Sequence, residues 1–229
     1  MDFNWQNYFN KELKKIGDFI KENKMRITMH PGQYTVLNSN KENVYRRSIE
    51  DLRYHTELLD LMQLNSTAKV QIHVGGVYGQ KKKSLQRFIA RYKELDEHIR
   101  ERLIIENDER SYNLEDCLTI NKSTEIPIVF DIYHHEIYNN GKNLREAFKD
   151  VRKTWKKKDG LPILHYSSQR VEGSFGNHAL QIKEDHFKSF LEEMRGFNYD
   201  IMLEIKDKEK SALRALAIAK RLELKNLNI

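Results

Sequence analysis

The chain has 229 residues, of which 39% are hydrophobic, 10% aromatic and 32% charged, with only 10 glycines and 3 prolines. This composition excludes low-complexity, collagen-like and wholly disordered proteins, and the length allows a sizeable core. The 40 Lys and Arg residues outnumber the 34 Asp and Glu residues, giving a formal net charge of +6 that favours a polyanionic partner without proving one.

The sequence also bears on cellular location. No apolar run approaches the roughly 18–20 residues that a membrane span needs. The N-terminal residues Met1–Trp5 lack the layout of a signal peptide. The single cysteine, Cys117, excludes a disulfide within the chain and favours a reducing compartment. We therefore expect a cytoplasmic protein without membrane contact.

Helices and strands alternate along the chain. Apolar residues spaced three to four apart predict helices, and short apolar runs closed by turn residues predict strands. In chain order we predict a helix around 9–20, a strand at 25–30, a helix at 42–64, a strand at 68–74, a helix around 85–99, a strand at 102–106, a short helix around 114–118, a strand at 127–132, a helix around 144–155, a strand at 162–166, a helix around 187–194, a strand at 199–205 and a helix at 211–222. The apolar stripe of the first helix is Phe9, Leu13, Ile16, Phe19 and Ile20.

This order, one helix followed by six strand–helix pairs, predicts an α/β fold with a parallel sheet and right-handed crossovers. No composition break or flexible linker divides the chain, so we predict a single domain over residues 1–229. The loop after the first strand lacks G-x-G-x-x-G, and no Walker A motif occurs, so the common nucleotide-binding signatures are absent. Periodicity alone leaves an open doubly wound sheet and a barrel as alternatives.

Every predicted strand finishes with a residue that can bind a metal ion. These residues are His30, His73, Glu106, Asp131, His165 and Glu204. One histidine at a strand end is usually a hydrogen-bonded loop residue, but six ligand types at six buried strand ends are hard to explain by chance. In an α/β barrel these ends converge on the active-site face. Histidine and carboxylate ligands suit Zn, Mn, Fe or Mg, and their number indicates two or three ions.

Five of the remaining six histidines divide into two groups. His134 adds a candidate ligand from the loop after Asp131, and the neighbouring His135 stays an alternative. Three others, His55, His98 and His186, lie in predicted helices among polar neighbours, and we interpret them as surface or packing residues.

Six short motifs resemble the UV damage endonuclease family, in the right order and over nearly the whole chain. They are His30–Tyr34, His73–Gly79, Glu106–Asp108, Phe130–His135, His165–Ser168 and Met202–Glu209. The resemblance implies a TIM (β/α)8-type barrel of the xylose-isomerase-like superfamily, shared with apurinic endonucleases. It also implies a DNA repair endonuclease that cleaves double-stranded DNA 5′ to UV photoproducts, leaving a 3′-hydroxyl and a 5′-phosphate. The cofactor usually associated with the family is Mn²⁺, and Zn²⁺ or Mg²⁺ stay possible.

Matched residue by residue, the resemblance implies metal ligands for three ions. The first ion would be held by His30, His73 and Glu106. The second would be held by Glu106, Asp131, His165 and Glu204, and the third by His134 and His178. For His178, which lies in the Ser/Gly-rich segment 167–179, a plain loop histidine is the alternative. We expect Glu106, His165 and Glu204 to be the catalytic residues.

Residues near the strand ends are candidates for contact with DNA. They are Gln33, Tyr34, Gly75, Gly76, Tyr78, Lys81 and Arg170. The resemblance places Gln33 and Tyr34 where the family wedges into the duplex, with loop packing as the alternative for Tyr34. The glycine loop could offer backbone N–H groups to a phosphate or simply form a turn.

Two departures from the family pattern keep other functions open. The family barrel has eight strands and about 250 residues, so we expect an incomplete or truncated barrel here, short of two N-terminal strand–helix pairs. Ile163 stands where the family often has a lysine beside the site. The alternatives are a sugar isomerase or epimerase on the same barrel, and an inactive remnant that only binds metal or DNA. No protein partner is evident, and activity on DNA would place the protein with the nucleoid.

Overall fold

The structure is a computed structural model that describes residues 3–174, 176–222 and 227–228. The chain forms two compact units, Met1–Ile105 and Glu106–Ile229. None of the described helices combines the length and the apolar character that a membrane span requires.

The first compact unit alternates helices with short strands. Its elements are α1 (Trp5–Glu22), β1 (Thr28–Met29), α2 (Glu42–Leu61), β2 (Lys69–His73), α3 (Lys81–Glu94), α4 (Glu97–Arg102) and β3 (Leu103–Glu106), whose last residue belongs to the second unit. Strands β1 and β2 pair in parallel, with Thr28 opposite Lys69. Strand β1 has only two residues, so the predicted strand over 25–30 was too long.

One predicted helix is two helices in the structure. The helix expected around 85–99 divides into α3 and α4, because Leu95 and Asp96 adopt extended backbone angles, with ψ of 149° and 146°. Leu95 is buried at this corner. Arg53 Nη2 donates to Asp96 Oδ2 at 3.0 Å, which ties the corner to α2. Because the hydrogen bond joins residues that are distant in sequence, the periodicity of the helix does not predict this corner.

Helix α1 buries only part of its predicted apolar stripe. Leu13 and Ile20 pack with Met62 in a buried cluster. The other three residues of the predicted stripe are exposed: Phe9 by 43%, Ile16 by 48% and Phe19 by 58%. Gly17 lies against the end of α2, and a Cβ atom there would be 1.7 Å from the carbonyl oxygen of Met62. The absence of a side chain at Gly17 therefore permits the close approach of α1 to the chain after α2.

The second compact unit continues the alternation. Its elements are α5 (Leu114–Thr124), β4 (Ile128–Asp131), α6 (Ile132–Ile137), α7 (Leu144–Val151), β5 (Ile163–Tyr166), α8 (Glu184–Glu193), β6 (Tyr199–Leu203), α9 (Glu209–Arg221) and β7 (Leu227–Asn228). Strands β4 to β7 pair in parallel and in chain order. Asn113 and Asn143 begin α5 and α7 with capping boxes, which satisfy exposed N–H groups at both helix starts. Helix α6 and strand β7 were not predicted.

The register of these strands aligns the ends that carry ligand-type residues. Asp131 is opposite His165, and His165 is opposite Met202, two residues before Glu204. On the helix-facing side, the Tyr166 ring contacts Phe187 and Phe190, with ring centroids 4.8 Å and 5.1 Å away. This buried aromatic packing holds α8 against the sheet and fixes the strand that carries His165.

Candidate functional site

The ligand-type residues lie at the carboxyl ends of the strands, as predicted. His73, Glu106 and Asp131 are the last residues of β2, β3 and β4. His165 is the next-to-last residue of β5. His30 and Glu204 directly follow the last residues of β1 and β6. Parallel strands bring such ends to one edge of each sheet.

In the second unit, four of these side chains form a compact cluster. One potential ligand atom from each lies within 4.8 Å of the others: Glu106, Asp131, His165 and Glu204. His165 Nδ1 is 2.7 Å from Glu204 Oε1 and 3.1 Å from Glu106 Oε1. Glu106, Asp131 and His165 are at most 2% exposed, whereas the Glu204 side chain is 27% exposed. The cluster is therefore buried on one side and reachable through Glu204.

Burial and like charges perturb the pKa values in this cluster. Burial, together with the neighbouring carboxylate of Glu106, raises the pKa of the Asp131 carboxyl to about 8. Burial would lower the pKa of His165, but Glu106 and Glu204 outweigh it and raise that pKa well above its usual value. For Glu204, burial acts to raise the pKa and the hydrogen bond from His165 lowers it, with a lowered pKa as the result. Three carboxylates packed this closely need a compensating positive charge.

The donor atoms of the cluster fit a divalent cation. Among the described residues, Asp131 Oδ2 and His165 Nε2 are buried without a hydrogen-bond partner. Buried polar atoms of this kind are rare unless an ion or water satisfies them. A mixture of imidazole nitrogen and carboxylate oxygen suits Mn²⁺, Zn²⁺ or Mg²⁺. The residues present thus match the chemistry of a metal site.

His134 extends this cluster from helix α6 rather than from the predicted loop. Asp131 is the N-cap of α6, and its Oδ1 accepts from the backbone N–H of His134 at 2.7 Å. His134 Nδ1 is 3.0 Å from the carbonyl oxygen of Asn107 and must donate to it, since a carbonyl only accepts. In a neutral ring, Nε2 then carries the lone pair that binds metals. His135 instead places Nε2 3.0 Å from the carbonyl oxygen of Lys142, outside the cluster.

Asn107 is a supporting residue that the ligand pattern did not reveal. Its side chain is fully buried and makes two hydrogen bonds to the backbone of one residue. Asn107 Nδ2 donates to the Asp131 carbonyl at 2.9 Å, and the Asp131 N–H donates to Asn107 Oδ1 at 2.9 Å. Because the Asn107 carbonyl also orients His134, this residue supports two candidate ligands from behind. Its position directly after Glu106 was the available signal.

His178 comes to the edge of the same cluster. Its Nδ1 is 2.9 Å from the Glu204 carbonyl oxygen, so Nδ1 donates and Nε2 carries the lone pair. The rings of His178 and His134 have centroids 6.0 Å apart. An isolated antiparallel β-bridge between Gln169 and His178 closes the loop that carries this histidine. The structure thus brings the sixth candidate ligand of the second unit beside the others.

In the first unit, His30 and His73 lie side by side. Their ring centroids are 5.4 Å apart. His30 Nδ1 is 2.8 Å from the carbonyl oxygen of Pro31 and donates to it. His134 and His178 show the same feature, because in each ring Nδ1 donates to a backbone carbonyl oxygen.

Apart from Lys81, which begins a helix, the residues predicted to contact DNA lie in loops after the strands. In the first unit, Gln33 is exposed, and Tyr34 is 82% exposed, which excludes packing of its side chain in the core. The Gly75–Gly76 pair follows β2, Tyr78 is 42% exposed, and Lys81 begins α3. In the second unit, half-buried Arg170 lies in the loop after β5 and its N–H donates to the Asn177 carbonyl at 2.9 Å. Ile163, where a lysine is common in the family, begins β5 and is 2% exposed.

Comparison with known proteins agrees with this arrangement of residues. The family model for UV-endonuclease UvdE matches residues 1–228. The chain belongs to the UvdE family. A UV DNA damage endonuclease of Clostridium perfringens (strain 13 / Type A) is 42% identical over 229 residues, which are 99% of this chain and 55% of that relative. Another, from Bacillus cereus (strain G9842), is 34% identical over 218 residues, covering 94% of this chain and 69% of the relative.

Solved structures place this UvdE-family chain in a fold class. The crystal structure of SacUVDE matches this chain with a TM-score of 0.92 and a sequence identity of 46%. The match covers 97% of this chain and 75% of the SacUVDE chain. Endonuclease IV from Thermus thermophilus is 16% identical with a TM-score of 0.62, covering 93% of this chain and 81% of that one, which is a likeness of fold alone. The predicted α/β TIM-like fold is confirmed. The chain spans about half the length of the Clostridium relative.

Proposed function

We propose that this chain is a metal-dependent endodeoxyribonuclease domain over residues 1–229 that cleaves double-stranded DNA 5′ to UV photoproducts. The observation that carries the proposal is the buried cluster of Glu106, Asp131, His165 and Glu204, in a chain of the UvdE family. A buried group of three carboxylates and an imidazole is costly as a purely structural device. Its cost is explained by cation binding at the carboxyl ends of the strands, where barrel enzymes place their active sites.

The proposed roles follow from the position of each group. Glu106, Asp131, His165 and Glu204 hold metal in the second unit, with His134 and His178 as further ligands at its edge. His30 and His73 are a second pair of ligands in the first unit. Divalent ions, when bound, lower the pKa of water to supply the nucleophile and offset the charge that develops on the phosphate. We propose two or three ions, with Mn²⁺ as the working cofactor.

The protein's own groups orient the ligands and meet the DNA. Asn107 keeps Asp131 and His134 in place, so that their donor atoms face the cluster before any ion binds. Glu106, His165 and Glu204 are the proposed catalytic residues because His165 lies at ion-pair distance from both carboxylates. Exposed Gln33 and Tyr34 are proposed to meet the lesion, while the Gly75–Gly76 loop, Tyr78, Lys81 and Arg170 contact the DNA backbone.

The substrate also sets the proposed location and partners. Double-stranded damaged DNA as the substrate places the activity in the cytoplasm with the nucleoid. The proposal requires no membrane and no protein partner. The net charge of +6 supports attraction to the DNA backbone, because basic proteins bind polyanions with a strength that falls as salt rises.

The proposal is tested by incubating the purified chain with Mn²⁺ and a UV-irradiated duplex labelled at one end. We expect a nick 5′ to the photoproduct, ending in a 3′-hydroxyl, and no nick in an undamaged duplex. Glu106→Gln should abolish the nick, because the amide replaces a buried carboxylate of the cluster. Glu115→Gln is the matched control, since Glu115 is exposed on α5.

Three results would contradict the proposal. Full activity of Glu106→Gln would show that the cluster does not carry the reaction. Binding of Mn²⁺ and DNA without a nick would favour an inactive remnant. Interconversion of a free ketose with no effect on DNA would favour the isomerase alternative.

A further inference from the structure

Two loops of the first compact unit carry most of the residues proposed to meet DNA. We name residues 31–41, which follow β1 and His30, loop L1, and residues 74–80, which follow β2, loop L2. L1 contains Gln33 and Tyr34, and L2 contains Gly75, Gly76 and Tyr78. Residues that contact one ligand from two loops need a fixed relation between those loops.

A buried asparagine of L1 holds the backbone of L2. Asn38 is fully buried, and its Nδ2 donates to the Gly76 carbonyl at 2.9 Å. The Gly76 N–H donates back to Asn38 Oδ1 at 3.1 Å. Gly75 has a φ of +109°, and a Cβ atom there would lie 2.4 Å from Asn38 Oδ1 and 2.6 Å from Val36 Cγ1. The two loops are therefore packed backbone against side chain, with no space for a larger residue.

Arg87 of α3 contacts both loops at once. Its Nε donates to the Asn38 carbonyl of L1 at 2.7 Å. Its guanidinium carbon lies 5.5 Å from the centroid of the Tyr78 ring of L2, within range of a cation–π contact. Arg87 Nη2 also donates to Ser84 Oγ at 3.2 Å, and Ser84 Oγ donates to the Val77 carbonyl of L2 at 2.8 Å.

The aromatic residue of L2 is held in an uncommon conformation. Tyr78 has a φ of +50°, in the left-handed region that non-glycine residues rarely adopt. Its ring lies against the backbone of L2, because a Cβ atom at Gly76 would be 2.7 Å from Tyr78 Cζ. A strained residue with an exposed ring persists only where its surroundings hold it, and such residues cluster at binding sites. Arg87 is one of the groups that hold this ring.

The internal shape of L1 has separate support. Arg91, one turn after Arg87, donates to the Leu37 carbonyl at 2.8 Å and also to the Ser39 carbonyl. Its guanidinium lies over the Tyr45 ring, 4.0 Å from the centroid. Loss of Arg87 should therefore change the relation of L1 to L2 while L1 itself stays folded.

We propose that Arg87 is a positioning residue that locks L1 and L2 into one recognition surface for damaged DNA. The inference rests on the proposed function for its ligand, and on the contacts above for its mechanism. Arg87 acts through Asn38 and Tyr78, and it sets how well the exposed side chains of both loops meet a distorted duplex. Its loss should reduce the preference for damaged over undamaged DNA, because undamaged DNA is held by charge and does not need the aligned loops.

The test compares Arg87→Gln, Arg87→Lys and the control Lys93→Gln, which removes the same charge from an exposed position at the far end of α3. The first readout is amide hydrogen exchange at Gly76 in L2 and Ser39 in L1. The second is the ratio of affinities for UV-irradiated and undamaged duplexes of the same sequence, measured in Ca²⁺ to prevent cleavage.

Arg87→Gln should speed exchange at the Gly76 amide about tenfold and reduce the affinity ratio about tenfold, since charged hydrogen bonds are among the stronger ones. Arg87→Lys should behave like Arg87→Gln, because an ammonium lacks the planar guanidinium that donates to the Asn38 carbonyl and to Ser84 while it lies near the Tyr78 ring. Lys93→Gln should keep both values within about twofold of the wild type, as an exposed charge away from the loops should.

The outcomes separate this inference from the proposed function. Unchanged exchange in Arg87→Gln would overturn the coupling of the loops, whatever the DNA measurements show. A wild-type affinity ratio in Arg87→Lys, with a reduced ratio in Arg87→Gln, would overturn positioning in favour of simple charge. A wild-type chain that shows no preference for irradiated DNA would refute the proposed function and the recognition role together, leaving the exchange result to decide the coupling.

Discussion

Replacing Asn107 with leucine should weaken metal binding although no proposed ligand is replaced. The leucine side chain has a similar branched shape but cannot hydrogen-bond, so both bonds to Asp131 at 2.9 Å are lost. The N–H and carbonyl groups of Asp131 then each lose the buried partner that Asn107 supplies, at a cost of about 1–3 kcal/mol each. The strand end can escape this cost only by moving, and Asp131 and the N-terminus of α6 move with it.

The expected result has two parts. The free energy of unfolding of the metal-free chain should fall by about 2–5 kcal/mol, the sum for two buried groups with partial relaxation. The affinity for Mn²⁺ should fall about 10- to 100-fold, as is typical when a residue that supports a metal ligand is lost. Urea unfolding measures the first value, and isothermal titration calorimetry with Mn²⁺ measures the second.

A matched variant separates loss of stability from loss of the site. Asn121 in α5 donates from Nδ2 to the Ile126 carbonyl at 2.8 Å, before the start of β4 and away from its carboxyl end. Asn121→Leu should lower stability by about 1–2 kcal/mol and leave the Mn²⁺ affinity unchanged. Wild-type Mn²⁺ affinity in Asn107→Leu, or an equal loss of affinity in Asn121→Leu, would refute the reasoning.

Three further outcomes are expected. Gly17→Ala should destabilise the chain by at least about 2–3 kcal/mol in urea unfolding, since its Cβ would overlap the Met62 carbonyl. Gly32→Ala, whose Cβ would have no atom within 4 Å, should keep the free energy of unfolding within about 0.5 kcal/mol of the wild type. Equal effects of the two substitutions would count against the packing of α1. Asp131→Asn should make the metal-free chain more stable while abolishing metal binding at the cluster that contains it. The pKa of Asp131 in the folded chain is raised to about 8, so the wild type loses stability as pH rises from the unfolded value of 3.8 toward 8. The stability advantage of the variant should therefore grow over that window in thermal scans. No growth with pH would contradict the raised pKa. Chelation by EDTA should lower the melting temperature and Mn²⁺ should restore it, because a ligand at about 100 times its Kd stabilises a protein by about 2.7 kcal/mol; an unchanged melting temperature would argue against a bound ion.

The order of elements and the positions of the ligand-type residues at the strand ends were predictable because they depend on local patterns. Alternating and helical spacings mark each strand and helix, and a parallel sheet then brings the strand ends together. This reasoning anticipated the cluster of Asp131, His165 and Glu204 without any tertiary contact. His178 is different, since its place beside Glu204 depends on the folding of the loop 167–179 and only the family resemblance indicated it.

Features set by distant contacts were not predictable from spacing. The Phe9, Ile16 and Phe19 side chains have the periodicity of a buried stripe, yet they are exposed, since periodicity does not say which neighbour covers a face. Helix α6 was missed because its N-cap, Asp131, was interpreted only as a ligand although it also caps the helix. The Asn107 side chain was overlooked because its partners are backbone groups of another strand.

The most direct test of the proposed metal centre is anomalous diffraction at the manganese edge from crystals of the chain soaked in Mn²⁺. We expect an anomalous peak coordinated by Glu106, Asp131, His165 and Glu204, and its loss in crystals of Glu106→Gln. A Mn²⁺-soaked crystal with no peak at these four residues, while DNA is still nicked 5′ to the photoproduct, would contradict a catalytic role for this cluster.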